Sequence, residues 1–133
     1  MQVLIVDGAN VVGSRPDGWW RDRAGAARRL HGALTAADLS GWDEVVLVLE
    51  GDARRGWRPG QHGRLRTVHA AQAGDDAIVE EVKNEHATGN GRGVTVVTAD
   101  RALRERVQAA GASVKGPRWL LDRSSPSGRQ DVS

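Results

Sequence analysis

Three runs of apolar, largely β-branched residues constrain the fold of this chain more than any other feature of its sequence. They occupy residues 3–6, 45–49 and 94–97. The runs are continuous rather than alternating, which is typical of strands that are covered on both faces. Because helical patterns separate them, the sequence predicts a three-layer α/β fold, with a central parallel sheet and helices on both faces.

We expect about five strands, at residues 2–6, 44–49, 65–69, 94–98 and 113–115, and helices at residues 19–39, 75–87 and 101–110. Residues 51–64 are too rich in glycine for a long crossover helix, so a short turn or a mobile loop is expected there. The pattern predicts one domain at residues 1–121. Residues 122–133 have little apolar surface to bury and are expected to form a disordered tail.

Composition narrows the chemistry. The chain has no cysteine, and its four histidines lack the spacing of zinc ligands, which argues against disulfides, thiolate chemistry and zinc. It has no signal-peptide pattern and no apolar stretch of roughly 18 residues, so we expect a cytoplasmic protein with no membrane partner. The 19 basic residues are seventeen arginines and two lysines. Arginine suits phosphate recognition, although a GC-rich genome would produce the same bias.

Aspartates follow the predicted strands at their carboxyl ends. Asp7 closes the first run, Asp100 follows the fourth strand, and Asp75 and Asp76 open a helix whose N-terminus can approach the same edge. Ligands of open α/β sheets bind at this edge. Carboxylates gathered there would repel one another unless a cation lay among them, and oxygen ligands without His or Cys favour Mg²⁺ or Mn²⁺. Each acid alone could equally cap a helix, so their recurrence favours the metal site.

Asn10 and the loop after the second strand complete the candidate site. Gly8 allows a tight turn, so the Asn10 amide can approach Asp7. Arginines of the loop would contact phosphates and its tryptophan would stack on a base. These candidates are Arg54, Arg55, Trp57, Arg58 and Arg64. The alternative is a solvated basic loop whose tryptophan packs in the core. Glu50 and Asp52 are expected to add only supporting charge, and the helix beginning at Trp19 is interpreted as structural.

The order of these motifs resembles the NYN domains of the PIN-like nuclease superfamily, and most closely the bacterial YacP-like branch. The motifs are VLIVDGANVVG at residues 3–13, GDDAI at residues 74–78 and VVTADR at residues 96–101. The resemblance implies a three-layer α/β fold and metal-dependent hydrolysis of RNA phosphodiesters. It also implies a divalent-metal site at acids matching Asp7, Asp75, Asp76 and Asp100, with Asn10 beside the first. Ala9 departs from the branch, which often has an aromatic residue there.

The leading hypothesis is therefore a Mg²⁺- or Mn²⁺-dependent endoribonuclease acting on single-stranded or structured RNA, as a monomer or homodimer, without a nucleotide cofactor. Asp7, Asp76 and Asp100 would hold the metal, Asp75 would complete the cluster or orient a water, and Asn10 would fix Asp7 or that water. One alternative is a non-catalytic RNA-binding module. Another is a phosphotransferase of the haloacid dehalogenase type, which needs a second aspartate where this chain has Ala9.

Overall fold

The computed structural model describes residues 2–88 and 93–124. Within these residues six strands form one sheet: β1 (Gln2–Asp7), β2 (Glu44–Leu49), β3 (Gly60–His62), β4 (Leu65–His69), β5 (Gly93–Val97) and β6 (Ser113–Lys115). The α-helices are α1 (Gly8–Gly13), α2 (Arg23–Ala36), α3 (Gly74–Ala87), α4 (Arg101–Ala109) and α5 (Pro117–Arg123). Two 3₁₀ helices span Trp19–Arg21 and Gly51–Gly56. None of the described helices has both the length and the apolar character needed to cross a membrane.

The strands are arranged in the order β3-β4-β2-β1-β5-β6. Every neighbouring pair is parallel except β3 and β4, which are antiparallel. The five predicted strands and their parallel arrangement are confirmed, but the sheet is mixed because of the additional edge strand β3. That strand is three exposed residues long and carries no apolar pattern, so nothing in the sequence marked it.

The continuous apolar runs are explained by two separate cores, one on each face of the sheet. Leu4 packs on one face in a core that includes Leu30 of α2. Its neighbour Ile5 packs on the other face with Ile78 of α3 and Leu103 of α4. Successive residues of a strand point to opposite faces, so a strand covered on both sides must be apolar throughout. The predicted three layers are therefore confirmed.

The predicted helix at residues 19–39 is wrong as a single element. It is interrupted at Asp22, whose backbone is not helical and whose carboxylate accepts a 2.8 Å hydrogen bond from the Gly25 N–H. Aspartate at this position satisfies an N–H that would otherwise lack a partner, so it begins a helix rather than continuing one. Helix α2 therefore starts after Asp22, and Trp19–Arg21 forms a separate 3₁₀ turn.

Two short helices were not predicted. Helix α1 starts directly after β1, with Asp7 as its N-cap, and α5 starts at Pro117. Helix α5 extends to Arg123, so it includes two residues that the sequence assigned to a tail; residues 125–133 lie outside the described part of the chain. The glycine-rich segment after β2 forms a 3₁₀ helix packed on α2, and a Cβ at Gly56 would overlap the Ala24 carbonyl.

Candidate active site

An acidic cavity opens at the carboxyl edge of the sheet, where β1, β2 and β5 end and where α3 and α4 begin. Its volume is about 340 Å³. It is lined by Asp7, Ala9, Asn10, Glu50, Asp75 and Asp100. Three of the four predicted metal-binding acids, together with the predicted asparagine, therefore lie around one cavity.

Asp7 is the buried acid of this cavity, with 8% of its surface exposed. The Thr98 hydroxyl donates a 2.9 Å hydrogen bond to Asp7 Oδ2, and the Asn10 N–H donates one of 3.3 Å to Oδ1. Burial raises the pKa of Asp7, and the nearby Glu50 and Asp100 carboxylates raise it further, while the two hydrogen bonds act in the opposite direction. The ionised form of Asp7 is therefore destabilised, and a cation close to this carboxylate would offset the destabilisation.

The Asn10 side chain joins two segments of the site. Its Oδ1 accepts a 2.8 Å hydrogen bond from the Ala99 N–H, which ties α1 to the segment between β5 and α4. This differs from the expected contact between the Asn10 amide and Asp7, which is made instead by the backbone N–H of Asn10. The asparagine therefore fixes the distance between two ends of the site.

Asp100 is a helix cap that also faces the cavity. Its Oδ1 caps α4 by accepting a 3.1 Å hydrogen bond from the Leu103 N–H, and the same side chain lines the cavity. The Asp100 N–H donates to Thr98 Oγ1 at 3.1 Å. Because that hydroxyl also donates to Asp7, Thr98 connects the two acids at the carboxyl ends of β1 and β5.

The adjacent acids of α3 are separated by the structure. Asp75 lines the cavity, whereas Asp76 does not, and the Asp76 side chain is 68% exposed. Arg106 of α4 binds both, with Nη1 3.3 Å from Asp75 Oδ2 and Nη2 2.9 Å from Asp76 Oδ1. Asp76 therefore stays a predicted ligand that would have to leave Arg106 to reach the cavity.

Glu50 was expected to add only supporting charge, but it forms part of the cavity wall. It follows β2 directly, lines the cavity, and contributes to the raised pKa of Asp7. A Cβ at Gly74 would lie 2.5 Å from Glu50 Oε1, so the glycine that begins α3 leaves room for this carboxylate. The signal that could have found it is the one used for Asp7 and Asp100, namely an acid just after a parallel strand.

The acids fit a hard divalent cation in chemistry, since they supply only carboxylate oxygens around a buried, destabilised Asp7. Among residues 2–88 and 93–124, however, no three acidic or histidine side chains already stand where they could share an ion. Asp75 is held by Arg106, and Asp100 by its cap. Binding of a metal would therefore require side chains of the cavity to rotate.

The arginines predicted to bind RNA differ in whether their guanidinium groups already have partners within the protein. Arg54 is turned back on the protein, donating to the carbonyls of Gly51 at 3.0 Å and Ala70 at 3.4 Å. Arg55 and Arg58 are exposed and make no hydrogen bond or ion pair with any described residue. Arg55 and Arg58 could therefore bind a ligand without breaking an existing contact, whereas Arg54 could not.

Arg64 and Trp57, which were also predicted to bind RNA, make contacts within the protein. Arg64 precedes β4 and donates to the carbonyls of Leu39 and Trp42 at the amino edge of the sheet, opposite the cavity. The Trp57 ring is stacked on buried His31 at 3.7 Å between centroids. Trp57 therefore packs against the core, as the alternative interpretation of the loop predicted.

No family model and no curated protein matches the sequence. Solved structures do match the fold. The crystal structure of Rae1 (YacP) from Bacillus subtilis aligns with a TM-score of 0.72 and 20% identity, over 99% of this chain and 78% of that one. A single-substitution mutant of the same protein aligns with a TM-score of 0.68 and 17% identity, over 98% and 79% of the two chains. The resemblance to the YacP-like branch is confirmed at the level of the fold.

Proposed function

We propose that this protein is a Mg²⁺- or Mn²⁺-dependent ribonuclease with a YacP-like fold, and that it hydrolyses RNA internally at the acidic cavity. One observation carries the proposal: buried Asp7, with its raised pKa, lies among the carboxylates of Glu50, Asp75 and Asp100 at the ligand-binding edge of an α/β sheet. The fold supports it, because the matched structures are of Rae1 (YacP).

In this proposal Asp7, Glu50, Asp75 and Asp100 hold the cation. A divalent ion bound there would offset the repulsion among the acids and stabilise the negative charge that builds on the scissile phosphate. Asp76 joins this set only if its side chain leaves Arg106. The hydrogen bond that the Ala99 N–H donates to Asn10, together with the Thr98 hydroxyl that contacts both segments, would hold Asp7 and Asp100 near each other.

RNA is held, in this proposal, by the exposed Arg55 and Arg58 on the segment that follows β2. They are free of intramolecular partners among the described residues, so binding phosphate costs them no existing contact. Arg54 would contribute only after giving up its bonds to Gly51 and Ala70. Arg64 and Trp57, which were predicted with them, are assigned to structure because each already has protein partners.

The test is cleavage of end-labelled single-stranded and structured RNA by the purified protein, with Mn²⁺, Mg²⁺ or EDTA. Internal cleavage is expected with either ion and none with chelator. An Asp7→Asn variant purified in parallel is the control for contaminating nuclease, because the amide can still accept the Asn10 N–H while the charge is lost. Equal cleavage by this variant, or cleavage in EDTA, would contradict the proposal.

A non-catalytic RNA-binding module is the second candidate, and one observation favours it. No three acids are already arranged to share an ion within the described residues, and Arg106 occupies Asp75 and Asp76. This candidate predicts RNA binding of equal strength in Mn²⁺ and in EDTA, with intact RNA recovered from both. The same samples therefore distinguish the two functions.

A further inference from the structure

A second cleft adjoins the acidic cavity and plays no part in the chemistry described above. Its volume is about 440 Å³, and it shares Ala9 and Glu50 with the acidic cavity. Its other walls include Trp19, Arg23 and Asp52. We call it the adjoining cleft. Because the two hollows have walls in common, a ligand that reaches the acids with one group can extend into this cleft with the next.

One wall of the adjoining cleft is aromatic and basic. The Trp19 indole is half-buried, and the guanidinium carbon of Arg23 lies 4.8 Å from the centroid of a Trp19 ring. Trp20 stands beside it, edge to face at 6.0 Å, and is 55% exposed, with the Arg21 guanidinium 5.8 Å from its ring. Alternating indole and guanidinium groups are the surface on which unpaired bases stack and phosphates bind.

Asp52, which also lines the adjoining cleft, supplies a hydrogen-bond acceptor. Asp52 lies in the 3₁₀ helix Gly51–Gly56, is exposed, and has no hydrogen bond or ion pair with any described residue. An ionised carboxylate only accepts hydrogen bonds, and it can accept two in parallel. Guanine offers two adjacent N–H donors on its Watson–Crick edge, whereas uracil offers one N–H between two carbonyl oxygens that a carboxylate would repel.

We propose that the adjoining cleft binds one unpaired base of the RNA strand next to the scissile phosphate, with a preference for guanine over uracil. The base stacks on Trp19 where the Arg23 guanidinium now lies, Arg23 moves to neutralise the neighbouring phosphate, and the donor edge of the base meets Asp52. This inference rests on the proposed ribonuclease function and adds to it a source of sequence preference. The walls shared with the acidic cavity connect the base to the site of cleavage.

The test compares two labelled RNAs: an all-uridine decamer and the same decamer with a single central guanosine. Binding is measured by fluorescence anisotropy in Ca²⁺, and cleavage by the same proteins is measured in Mn²⁺. The wild-type protein should bind the guanosine decamer more tightly. Trp19→Leu should weaken binding of that decamer by about 10-fold, in the range expected for loss of one stacked base. Trp42→Leu is the matched control, since Trp42 lies near the amino edge and is absent from the cleft.

Trp19 also packs against the core, so a second variant guards against a folding defect. Asp52→Ala removes an exposed side chain and should abolish the difference between the two decamers while both still bind. Equal binding of the decamers by the wild type, or unchanged discrimination in Asp52→Ala, would overturn the proposal. If the wild type cleaves RNA, but neither the central guanosine nor the Asp52→Ala substitution alters binding, only the proposal for the adjoining cleft is wrong. If the wild type neither binds nor cleaves either decamer, the proposed function itself fails.

Discussion

The two edges of the central sheet carry hollows of similar size, but one is lined mainly by acids and the other by polar groups of mixed charge. The acidic cavity at the carboxyl edge measures about 340 Å³, and a cleft at the amino edge, beside Arg64, measures about 390 Å³. At the amino edge the polar groups satisfy one another: Arg64 donates to the Leu39 and Trp42 carbonyls, and Asp43 Oδ2 accepts the Gln2 N–H at 2.6 Å.

At the carboxyl edge the neighbours of Asp7 include Glu50 and Asp100, which have charge of the same sign. Like charges near a buried carboxyl destabilise the protein unless something else compensates. A hollow alone therefore does not mark a site in this fold. What distinguishes the carboxyl edge is that Asp7, Glu50 and Asp100 lie near one another without a basic partner among the residues that the structure describes.

The largest expected difference between the edges is in catalysis. Asp100→Asn and Glu50→Gln should each lower the rate of Mn²⁺-dependent cleavage by more than about 100-fold, the upper end for residues that only support a metal ligand. Asparagine can still cap α4, so Asp100→Asn should remain folded. Asp43→Asn, at the amino edge, should cleave like the wild type, and single-turnover rates on labelled RNA provide the measurement.

If Asp43→Asn lost as much activity as Asp100→Asn, or if Glu50→Gln retained wild-type rates, catalysis could not be assigned to these acids of the carboxyl edge. The second result alone would return Glu50 to the supporting role expected from the sequence. Circular dichroism of each variant shows whether a loss reflects chemistry or unfolding.

Metal should stabilise the protein through the carboxyl edge only. A ligand that binds the folded state alone adds about 2.7 kcal/mol at 100 times its dissociation constant, so Mn²⁺ should raise the Tm. Asp7→Asn should lose most of this rise and Asp43→Asn none of it, as measured by thermal unfolding with Mn²⁺ or EDTA. Asp76→Ala tests the one predicted ligand outside the cavity wall. A rise that Asp76→Ala leaves intact assigns that residue to its Arg106 pair rather than to the metal.

A smaller effect is expected from the arginines. Replacing Arg55 and Arg58 together by alanine should weaken RNA binding and reduce its salt dependence, because each lost phosphate contact lowers the log–log slope by about 0.7 for a single strand. Arg64→Ala, at the amino edge, should leave the slope unchanged. Binding in Ca²⁺ at several salt concentrations measures it. An identical slope in the double variant would remove these arginines from the RNA path.

The smallest effect concerns stability and pH in the absence of metal. Burial, followed by Glu50 and Asp100, raises the pKa of Asp7 above its ordinary value of 3.8. The folded state then binds this proton more tightly than the unfolded state. The resulting stability is fully present below pH 3.8 and is lost as the pH rises through the raised pKa. Asp7→Asn should therefore lose less stability than the wild type across that window.

Urea unfolding in EDTA at several pH values from 3.5 upward measures this effect, with Asp43→Asn as the control. If the stability of the wild type changes with pH in the same way as that of Asp7→Asn, burial of the Asp7 carboxylate does not destabilise the protein. The unbalanced charge that separates the two edges would then be absent.

The parts of the fold that were predictable from sequence are those with strong patterns. The continuous runs in β1, β2 and β5 required a sheet covered on both faces, and the periodic helices α3 and α4 followed. The strand β3 was missed because it contains no apolar residue, and α1 was missed because its six residues span less than two helical turns. The break at Asp22 depends on a side-chain cap that competes with a helical pattern extending on both sides of it.

The candidate site was predictable where a topological rule applied and not where side-chain partners decide. Asp7 and Asp100 were found because both follow parallel strands. The same rule places Arg64 at the opposite edge, because a chain that leaves β2 must return to the amino edge before it enters parallel β4. The stacking of Trp57 on His31, and the Arg106 contacts that hold Asp76, depend on packing between distant elements that spacing does not encode.

The glycine that begins α3 has a consequence for how the proposed activity could be lost by mutation. A methyl group at Gly74 would meet the flexible end of Glu50, which can swing aside, whereas one at Gly8 would lie 2.5 Å from the backbone carbonyl of Val48, which cannot. Gly74→Ala can therefore silence the site in a chain that still folds and retains every acid. A survey of natural variants that scores only the acidic positions would count such inactive chains as active.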